Sequence, residues 1–142
     1  MNALIIGCGR VGSTIAAQLQ NDGWDVTVVD ESEDALSRLG ENWPGRFVVG
    51  HGMDTDLLRE AGIEEADAVV AATDGDNTNI VIGQVAQKRF GVECTVVRIL
   101  DPARADFYNA RGLRTVCPTK TAIDTLTAAV RACEIPGMKV SA

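Results

Sequence analysis

"ALIIGCGRVG", residues 3–12, is the stretch of the sequence that decides the fold. Its apolar run ends at Gly7, as is typical of a buried strand, and Gly7, Gly9 and Gly12 form the pattern G-x-G-x-x-G directly after it. In a strand–turn–helix unit the first glycine permits a tight turn, the second lets backbone approach a pyrophosphate, and the third lets helix and strand pack closely. The stretch therefore predicts a nucleotide-binding βαβ unit at the start of the chain.

Short apolar runs alternate with amphipathic stretches along the whole chain. The runs rich in Val, Ile and Thr are residues 3–7, 25–30, 46–50, 66–73, 94–99 and 113–117. Their nearly continuous apolar character indicates strands buried on both faces of a parallel sheet. Ser32, Asp54 or Thr55, and Asp101 are the candidate caps of the second, third and fifth helices. The alternation predicts an α/β fold, a Rossmann-like doubly wound parallel six-stranded sheet in the order 3-2-1-4-5-6.

One Rossmann-like nucleotide-binding domain is expected over residues 1–131, because 142 residues suffice for a single domain with its own core. Residues 132–142 are expected to be a tail or the start of a linker, since Pro136 and Gly137 break regular structure. The last predicted helix carries an apolar stripe formed by Ile123, Leu126 and Val130. This stripe packs either on the sheet of its own chain or on a second copy.

Composition excludes several classes of function. The net charge of -7 and the pI of about 4.6 argue against nucleic-acid binding. The four cysteines form no C-x-x-C pair and there is one histidine, so no metal site is expected. No apolar run approaches the roughly 18 residues that a membrane-spanning helix needs, and no basic signal region precedes the first strand. A cytoplasmic protein without direct membrane insertion is therefore expected.

Asp30 lies at the end of the second predicted strand, where a carboxylate can accept hydrogen bonds from a ribose diol. The same carboxylate repels a 2′-phosphate, and the next residue is Glu31 where an NADP site would favour an arginine. These residues predict binding of NAD or an adenine nucleotide in preference to NADP. The alternative, that Asp30 caps the following helix, is weaker because Ser32 is better placed.

Arg10 stands in the first turn of the first predicted helix, next to the positive end of the helix dipole. A cation is unfavourable there, so its presence indicates an anion that the helix amides and the guanidinium bind together.

The fourth and fifth predicted strands end in further polar residues. Ala72, Thr73 and Asp74 should form the other lip of the ligand crevice, where Thr73 can donate to a phosphate or ribose oxygen. Asp74, Asp76 and Asn77 can instead cap the fourth helix, and this is the favoured interpretation for Asp76. Arg98 either points its charge at the crevice or forms a surface salt bridge.

Motifs of catalysis are missing from the sequence. It contains no Tyr-x-x-x-Lys pair, no G-x-S-x-G and no HExxH, and a single nucleotide-binding domain leaves no room for a substrate domain. We therefore expect a protein that is not an enzyme. The alternatives are an NAD-linked oxidoreductase module whose substrate site comes from a partner chain, and a nucleotide-binding interaction domain with another client.

Four blocks of the sequence resemble one family. They are "GCGRVG", "VVDESEDALSRL", "VVGHGMDTDLLREAGIEEADAVVAATDGDNTNI" and "VVRILDPARADFYNARGL". Together they resemble the KTN or RCK N-terminal (TrkA-N) nucleotide-binding domain of bacterial potassium-transport regulatory subunits, from Met1 to about Val130. The third block is the most specific, because ordinary dehydrogenases do not share it.

The resemblance implies a regulatory subunit at the inner face of the plasma membrane. Such a subunit docks on a membrane potassium transporter or channel and gates it through bound NAD(H) or ATP/ADP. It also implies a homodimer or a larger ring that pairs through the last helix.

By position, the resemblance places the phosphates at the glycine turn, the adenosine ribose at Asp30, and the adenine edge at residues 51–53. Arg10 would contact a ligand phosphate of its own or of a neighbouring subunit. No catalytic and no metal residue is implied. The motifs and the resemblance together give the predicted binding residues, which are Gly7, Cys8, Gly9, Arg10, Val11, Gly12, Asp30, Glu31, His51, Gly52, Met53, Ala72, Thr73, Asp74 and Arg98.

Overall fold

A computed structural model describes residues 1–137 of the chain. Six parallel strands form one sheet in the order β3-β2-β1-β4-β5-β6. The strands are β1 Asn2–Ile6, β2 Asp25–Asp30, β3 Arg46–Val49, β4 Ala68–Ala71, β5 Cys94–Arg98 and β6 Arg114–Val116. The predicted fold class and strand order are confirmed. Residues 138–142, at the end of the expected tail, lie outside the described residues.

Helices connect the strands. The α-helices are α1 Arg10–Asn21, α2 Thr55–Glu60, α3 Asp76–Gln84, α4 Pro102–Asn109 and α5 Pro118–Arg131. The second connection is a 3₁₀ helix, Glu33–Leu39, and the π-helical turn Val85–Arg89 continues α3. A second 3₁₀ helix, Ile63–Glu65, precedes β4. Apolar spacing predicted helices at these places but could not show how tightly each one is wound.

The capping predictions had mixed outcomes. Asp54 caps α2 by accepting from the amides of Asp56 and Leu57, and Asp101 caps α4 by accepting from Ala103. The expectation for Ser32 was wrong, since its side chain makes no capping hydrogen bond. Its backbone N–H donates to Asp30 Oδ1 instead, at 2.8 Å.

The core forms two layers because side chains alternate across each strand. On β1, Leu4 and Ile6 face a layer that includes residues of α2, α3 and α4. Ala3 and Ile5 face the opposite layer, where Ala16 of α1 packs. The sheet is therefore covered on both sides around β1.

Helix α5 departs from this pattern. None of its residues is buried. The side chains of its apolar stripe are 53% (Ile123), 67% (Leu126) and 64% (Val130) exposed. The expected stripe is present, but within residues 1–137 it does not pack on its own sheet. None of the helices in the described range is both long and apolar enough to cross a membrane.

Candidate functional site

A crevice of about 380 Å³ opens at the carboxyl ends of the central strands. The strand order reverses between β1 and β4, and open parallel sheets bind ligands at such a switch point. On the β1–β2 side the predicted residues that line it are Gly7, Gly9, Asp30 and Glu31. On the β3–β4 side they are Gly52, Ala72, Thr73 and Asp74.

A second cavity, of about 370 Å³, lies at the opposite edge of the sheet, among Asn2, Asp25 and Arg46. It contains none of the predicted binding residues. The α-helices begin after the carboxyl ends of the strands, so their N-terminal amides face away from it. Its chemistry does not support it as the nucleotide site.

The glycine turn joins β1 to α1 and forms one wall of the crevice. Gly7 has φ +104°, and a Cβ on it would lie 2.6 Å from the Ala72 carbonyl oxygen. A Cβ on Gly12 would lie 1.8 Å from the carbonyl oxygen of Gly7, so α1 can approach the turn only because Gly12 has no side chain. A Cβ on Gly9 would meet nothing within 4 Å. Gly9 therefore leaves open space in front of the N-terminus of α1, which no side chain caps.

Asp30 ties this turn to the end of β2. Its Oδ2 accepts a hydrogen bond from the Cys8 backbone N–H at 2.8 Å, and its Oδ1 accepts one from Ser32. Each carboxylate oxygen keeps a further lone pair. Since Asp30 also lines the crevice, it can hold the turn and accept from a ligand hydroxyl together.

Cys8 contributes its backbone and not its thiol to the crevice. The thiol is buried and donates to the Ala35 carbonyl at 3.3 Å. Burial, and after it the neighbouring Asp30 carboxylate, raise the pKa of this thiol, while Arg38 acts in the opposite direction. The Cys8 side chain therefore stays neutral and inside the protein.

Arg10 and Val11 begin α1 but do not line the crevice. Both are exposed. The first turn of α1 contains no acidic residue, and among residues 1–137 the Arg10 guanidinium has no hydrogen bond or ion pair to another side chain. Its charge is therefore uncompensated beside the helix N-terminus.

His51, Gly52 and Met53 follow β3, and Gly52 is the one of them that lines the crevice. A Cβ on Gly52 would lie 2.6 Å from Ile6 Cγ2, so the backbone sits directly against the core. His51 Nε2 lies 2.8 Å from Glu31 Oε1, and its Nδ1 accepts from the Met53 amide at 3.3 Å. The predicted trio is thus divided between the crevice and its outer rim.

Arg98, at the end of β5, forms the ion pair that was the alternative expectation for it, with Asp74, although its own side chain is largely buried. Its side chain is only 17% exposed, and Nη2 donates to the Thr73 and Ala72 carbonyls at 2.6 and 3.3 Å. It lies 3.7 Å from the exposed Asp74 carboxylate and does not line the crevice. Arg98 therefore supplies hydrogen-bond donors to the backbone carbonyls that follow β4, and its side chain lies outside the crevice lining.

Asn79, in α3, is a residue that the sequence interpretation missed. It is 1% exposed, and its Oδ1 accepts from Thr73 N at 2.9 Å and from Thr73 Oγ1 at 2.7 Å. Its Nδ2 donates to the carbonyls of Thr73 and Arg98 at 3.0 and 2.9 Å. One signal in the sequence could have identified it. Asn79 directly precedes the apolar Ile80 on a predicted helix, and an amide side chain that is buried there needs hydrogen-bond partners.

The expectation that Asp76 caps α3 was wrong. Asp76 lies inside the first turn of the helix, and its carboxylate accepts from the amides of Leu100 and Asp101 at 2.8 and 3.1 Å. Asn77 Oδ1 accepts from Arg104. Both side chains therefore hold α3 to the segment that follows β5.

Arg38 is the other missed residue. It lines the crevice, and its Nη1 donates to the Cys8 carbonyl at 3.2 Å. No sequence signal identified it, because its position depends on the 3₁₀ winding of Glu33–Leu39. It brings a positive charge to the wall formed by the glycine turn.

The arrangement suits an anionic group next to a polyhydroxylated one. Open amides and Arg38 lie at the glycine turn, and the carboxylates of Asp30 and Glu31 follow along the same wall. Among residues 1–137 there is no group of three His, Cys, Asp or Glu side chains that could hold a metal ion.

Comparisons with known proteins agree with this geometry. The family described as the TrkA-N domain matches residues 3–119. The chain is 46% identical over 126 residues to the Trk system potassium uptake protein TrkA of Streptomyces coelicolor, covering 89% of this chain and 56% of the relative. It therefore spans about half the length of that relative.

Two solved structures share the fold. The first is the Kef CTD of Shewanella denitrificans in AMP-bound form, with TM-score 0.78 and 22% identity over 94% of this chain and 84% of that one. The second is GsuK bound to ADP, with TM-score 0.79 and 24% identity over 94% of this chain and 34% of that one. Sheet order, glycine turn and sequence match lead to one assignment: the chain belongs to the TrkA-N domain family.

Proposed function

We propose that this domain is a nucleotide-sensing regulatory module of a potassium uptake or channel system. It binds NAD(H), or ATP and ADP, in the crevice, and the bound nucleotide gates a membrane partner. The observation that carries the proposal is the glycine turn, which Asp30 holds through Cys8 while Gly9 leaves the N-terminus of α1 open. The TrkA relative and the AMP-bound and ADP-bound neighbours support it.

The proposed ligand lies along the wall from β1 to β3. Its phosphates contact the amides of the glycine turn, where the helix dipole favours negative charge. Its adenosine ribose donates to Asp30, and the edge of its base lies beside Gly52. Asp30 and Glu31 together disfavour a 2′-phosphate at this ribose, so NADP binds more weakly than NAD.

The proposed role is regulatory and not catalytic. The crevice residues of the described part of the chain are acceptors, backbone amides and Arg38, which suit the binding of a ligand. We place the protein in the cytoplasm, where it reaches the membrane through its transporter. The exposed stripe of α5 supports a homodimer in which that helix forms the contact.

Calorimetry with NAD, NADH, ADP, ATP and NADP tests the nucleotide site. We expect NAD to bind more tightly than NADP, and Asp30→Ala to lose affinity for all adenine nucleotides. Asp22→Ala, an exposed aspartate at the far end of α1, is the matched control and should bind as the parent does. Equal affinities for NAD and NADP, or an unaffected Asp30→Ala variant, would contradict the proposal.

Two further assays separate the function classes. Turnover of NAD with a panel of small alcohols and acids would favour the oxidoreductase alternative. Recovery of a polytopic potassium transporter with the tagged protein from solubilised membranes, lost on Asp30→Ala, is the result expected for the regulatory role. Recovery of a different client would favour a general interaction domain.

A further inference from the structure

We propose that the second cavity, of about 370 Å³ at the amino ends of β1, β2 and β3, binds a small organic cation, an ammonium group on a short aliphatic chain. We call this cavity the amino-edge cavity. It lies at the opposite edge of the sheet from the nucleotide crevice, so the inference does not depend on the proposed function. The ammonium ion would be a second ligand of the domain, bound at the same time as a nucleotide.

The amide of Gln20, in the last turn of α1, lacks a partner. The half-buried Gln20 side chain lines the amino-edge cavity, and its Oε1 is buried without a hydrogen-bond partner among residues 1–137. A buried acceptor that has no donor destabilises the folded state. Because no donor holds this oxygen in place, rotation of the amide can bring it to the cavity. An N–H group of a ligand would then satisfy it.

The charges that line the amino-edge cavity favour a cation. Asp25 and Glu65 are exposed, and neither belongs to an ion pair within residues 1–137. Arg46 is the cation of the lining, and its Nη2 donates to the Glu60 carbonyl at 2.9 Å. Since Glu60 ends α2, this guanidinium offsets the negative end of the α2 dipole. The side of the cavity next to α1 therefore keeps its negative charge.

The carboxyl end of α1 adds to this negative charge. Its last turn contains no basic residue, and its C-cap is Asp22, just outside the cavity lining. A cation is the group that stabilises this end of a helix. The two ends of α1 thus have opposite requirements, an anion beside the crevice and a cation beside the amino-edge cavity.

The rest of the lining suits a hydrocarbon chain better than a bare metal ion. Leu4, Ala61 and Ala66 give the cavity an apolar wall, which a bare ion would leave without a contact. Thr27 lies two residues after Asp25 on β2, so both face the same side of the sheet, and its hydroxyl is a further acceptor. A volume of about 370 Å³ is in the range of small-molecule sites.

Calorimetry with butylammonium chloride tests the proposal, with 1-butanol as the neutral analogue and potassium chloride as the inorganic cation. An aliphatic amine is protonated at pH 7, as a lysine side chain is. We expect butylammonium to bind at least about ten-fold more tightly than butanol, which is the contribution of one charged hydrogen bond. Saturating NAD should leave this affinity within a factor of two, because the two sites lie at opposite edges of the sheet.

Gln20→Leu removes the amide at similar volume and should lower butylammonium affinity roughly three- to ten-fold. The free energy of unfolding without ligand should stay level or rise, because the variant also removes the unpartnered oxygen. A merely structural role for Gln20 would instead lower it. Gln18→Leu, on the same helix but exposed and outside the lining, is the matched control and should bind as the parent does.

Asp25→Asn removes one carboxylate from the rim of the cavity and should lower butylammonium affinity several-fold while butanol binding stays the same. Asp106→Asn removes the same charge from an exposed position of α4 and should have no effect. Should Gln20→Leu fail to fold, the two aspartate variants decide the question, since both residues are exposed.

Several outcomes would overturn the inference. They are the absence of saturable butylammonium binding, equal affinities for butylammonium and butanol, and displacement of butylammonium by equimolar potassium chloride. Unchanged affinity in both Gln20→Leu and Asp25→Asn would also overturn it. So would competition between NAD and butylammonium, which would place the amine in the crevice. Failure of every nucleotide to bind would overturn the proposed function alone and leave this inference standing.

Discussion

Helices α1 and α5 have similar lengths, 12 and 14 residues, and both carry an apolar face, yet the two faces have opposite fates. Helix α1 buries Gly12, Ser13 and Ala16 against the sheet. Helix α5 buries no residue. An apolar stripe therefore indicates that a helix packs against some surface. The elements next to the helix in the fold determine which surface it can reach. Gly12 brings α1 onto the sheet, whereas α5 follows β6, which among residues 1–137 lies at the edge of the sheet next to β5.

The N-termini of the two helices differ as well. Neither first turn contains an acidic residue, and each contains a cation, Arg10 in α1 and Lys120 in α5. Helix α5 is nevertheless capped, because Cys117 Sγ accepts from the Lys120 N–H at 3.4 Å. Helix α1 has no side-chain cap. Of these two helices, α1 is therefore the one whose N-terminal amides still need an acceptor, and it begins beside the crevice.

The largest expected effect comes from forcing α1 away from the sheet. In Gly12→Val the new side chain would collide with the Gly7 carbonyl, since even its Cβ would lie 1.8 Å from that oxygen. We expect a loss of about 3 kcal/mol or more in the free energy of unfolding, measured by urea denaturation.

Gly9→Ala is the control for this substitution, because its Cβ meets no atom within 4 Å. It should change the free energy of unfolding by less than about 1 kcal/mol. A Gly12→Val variant as stable as the parent would show that α1 does not depend on this close approach.

The second prediction tests whether the exposed apolar stripe of α5 is a contact between subunits. Leu126→Asp places a charge on the exposed stripe and should leave the unfolding free energy of the monomer within about 0.5 kcal/mol, because the site is open to water. The same change should convert the proposed homodimer into a monomer, since an unpaired charge is costly in an apolar contact. Light scattering at micromolar concentration measures the change in mass.

Ala128→Asp is the matched control, since it adds the same charge about half a turn round the helix from the stripe. It should remain dimeric. A parent protein that is already monomeric, or an equal response of both variants, would count against α5 as the contact.

The sequence was most informative where a local pattern has one structural solution. Apolar runs between helical stretches identified the six strands, and the spacing of Gly7, Gly9 and Gly12 identified the turn. Asp101 was identified as a cap, and Asp54 as one of two candidates with Thr55, because the capping oxygen bonds amides only two or three residues away. Contacts between residues this close in the chain can be predicted from the sequence alone.

The site was less predictable wherever its contacts join distant segments. Asn79 reaches Arg98, 19 residues away, and Arg38 reaches Cys8, 30 residues away. Periodicity assigns such residues to a helix but cannot show which strand end lies opposite them. The exposure of Leu126 was unpredictable for the same reason, because a stripe on a helix does not specify the surface that covers it.

The smallest expected effect sharpens the contrast between the two N-termini. Arg10 has an uncompensated charge next to the uncapped start of α1, so a ligand phosphate bound there would interact with the amides and the guanidinium together. A hydrogen bond from a charged donor contributes about 1.5 kcal/mol or more, which is roughly ten-fold in affinity. Arg10→Ala should therefore lower the affinity for nucleotides at least several-fold in calorimetry, while the thermal midpoint of the ligand-free protein stays level or rises slightly.

Lys120→Ala removes the corresponding cation of α5, whose N-terminus is already capped, and should leave nucleotide affinity unchanged. If NAD, NADH, ATP and ADP all bind Arg10→Ala within a factor of two of the parent, Arg10 does not sense the ligand, and the difference between the two helices lies in their packing alone.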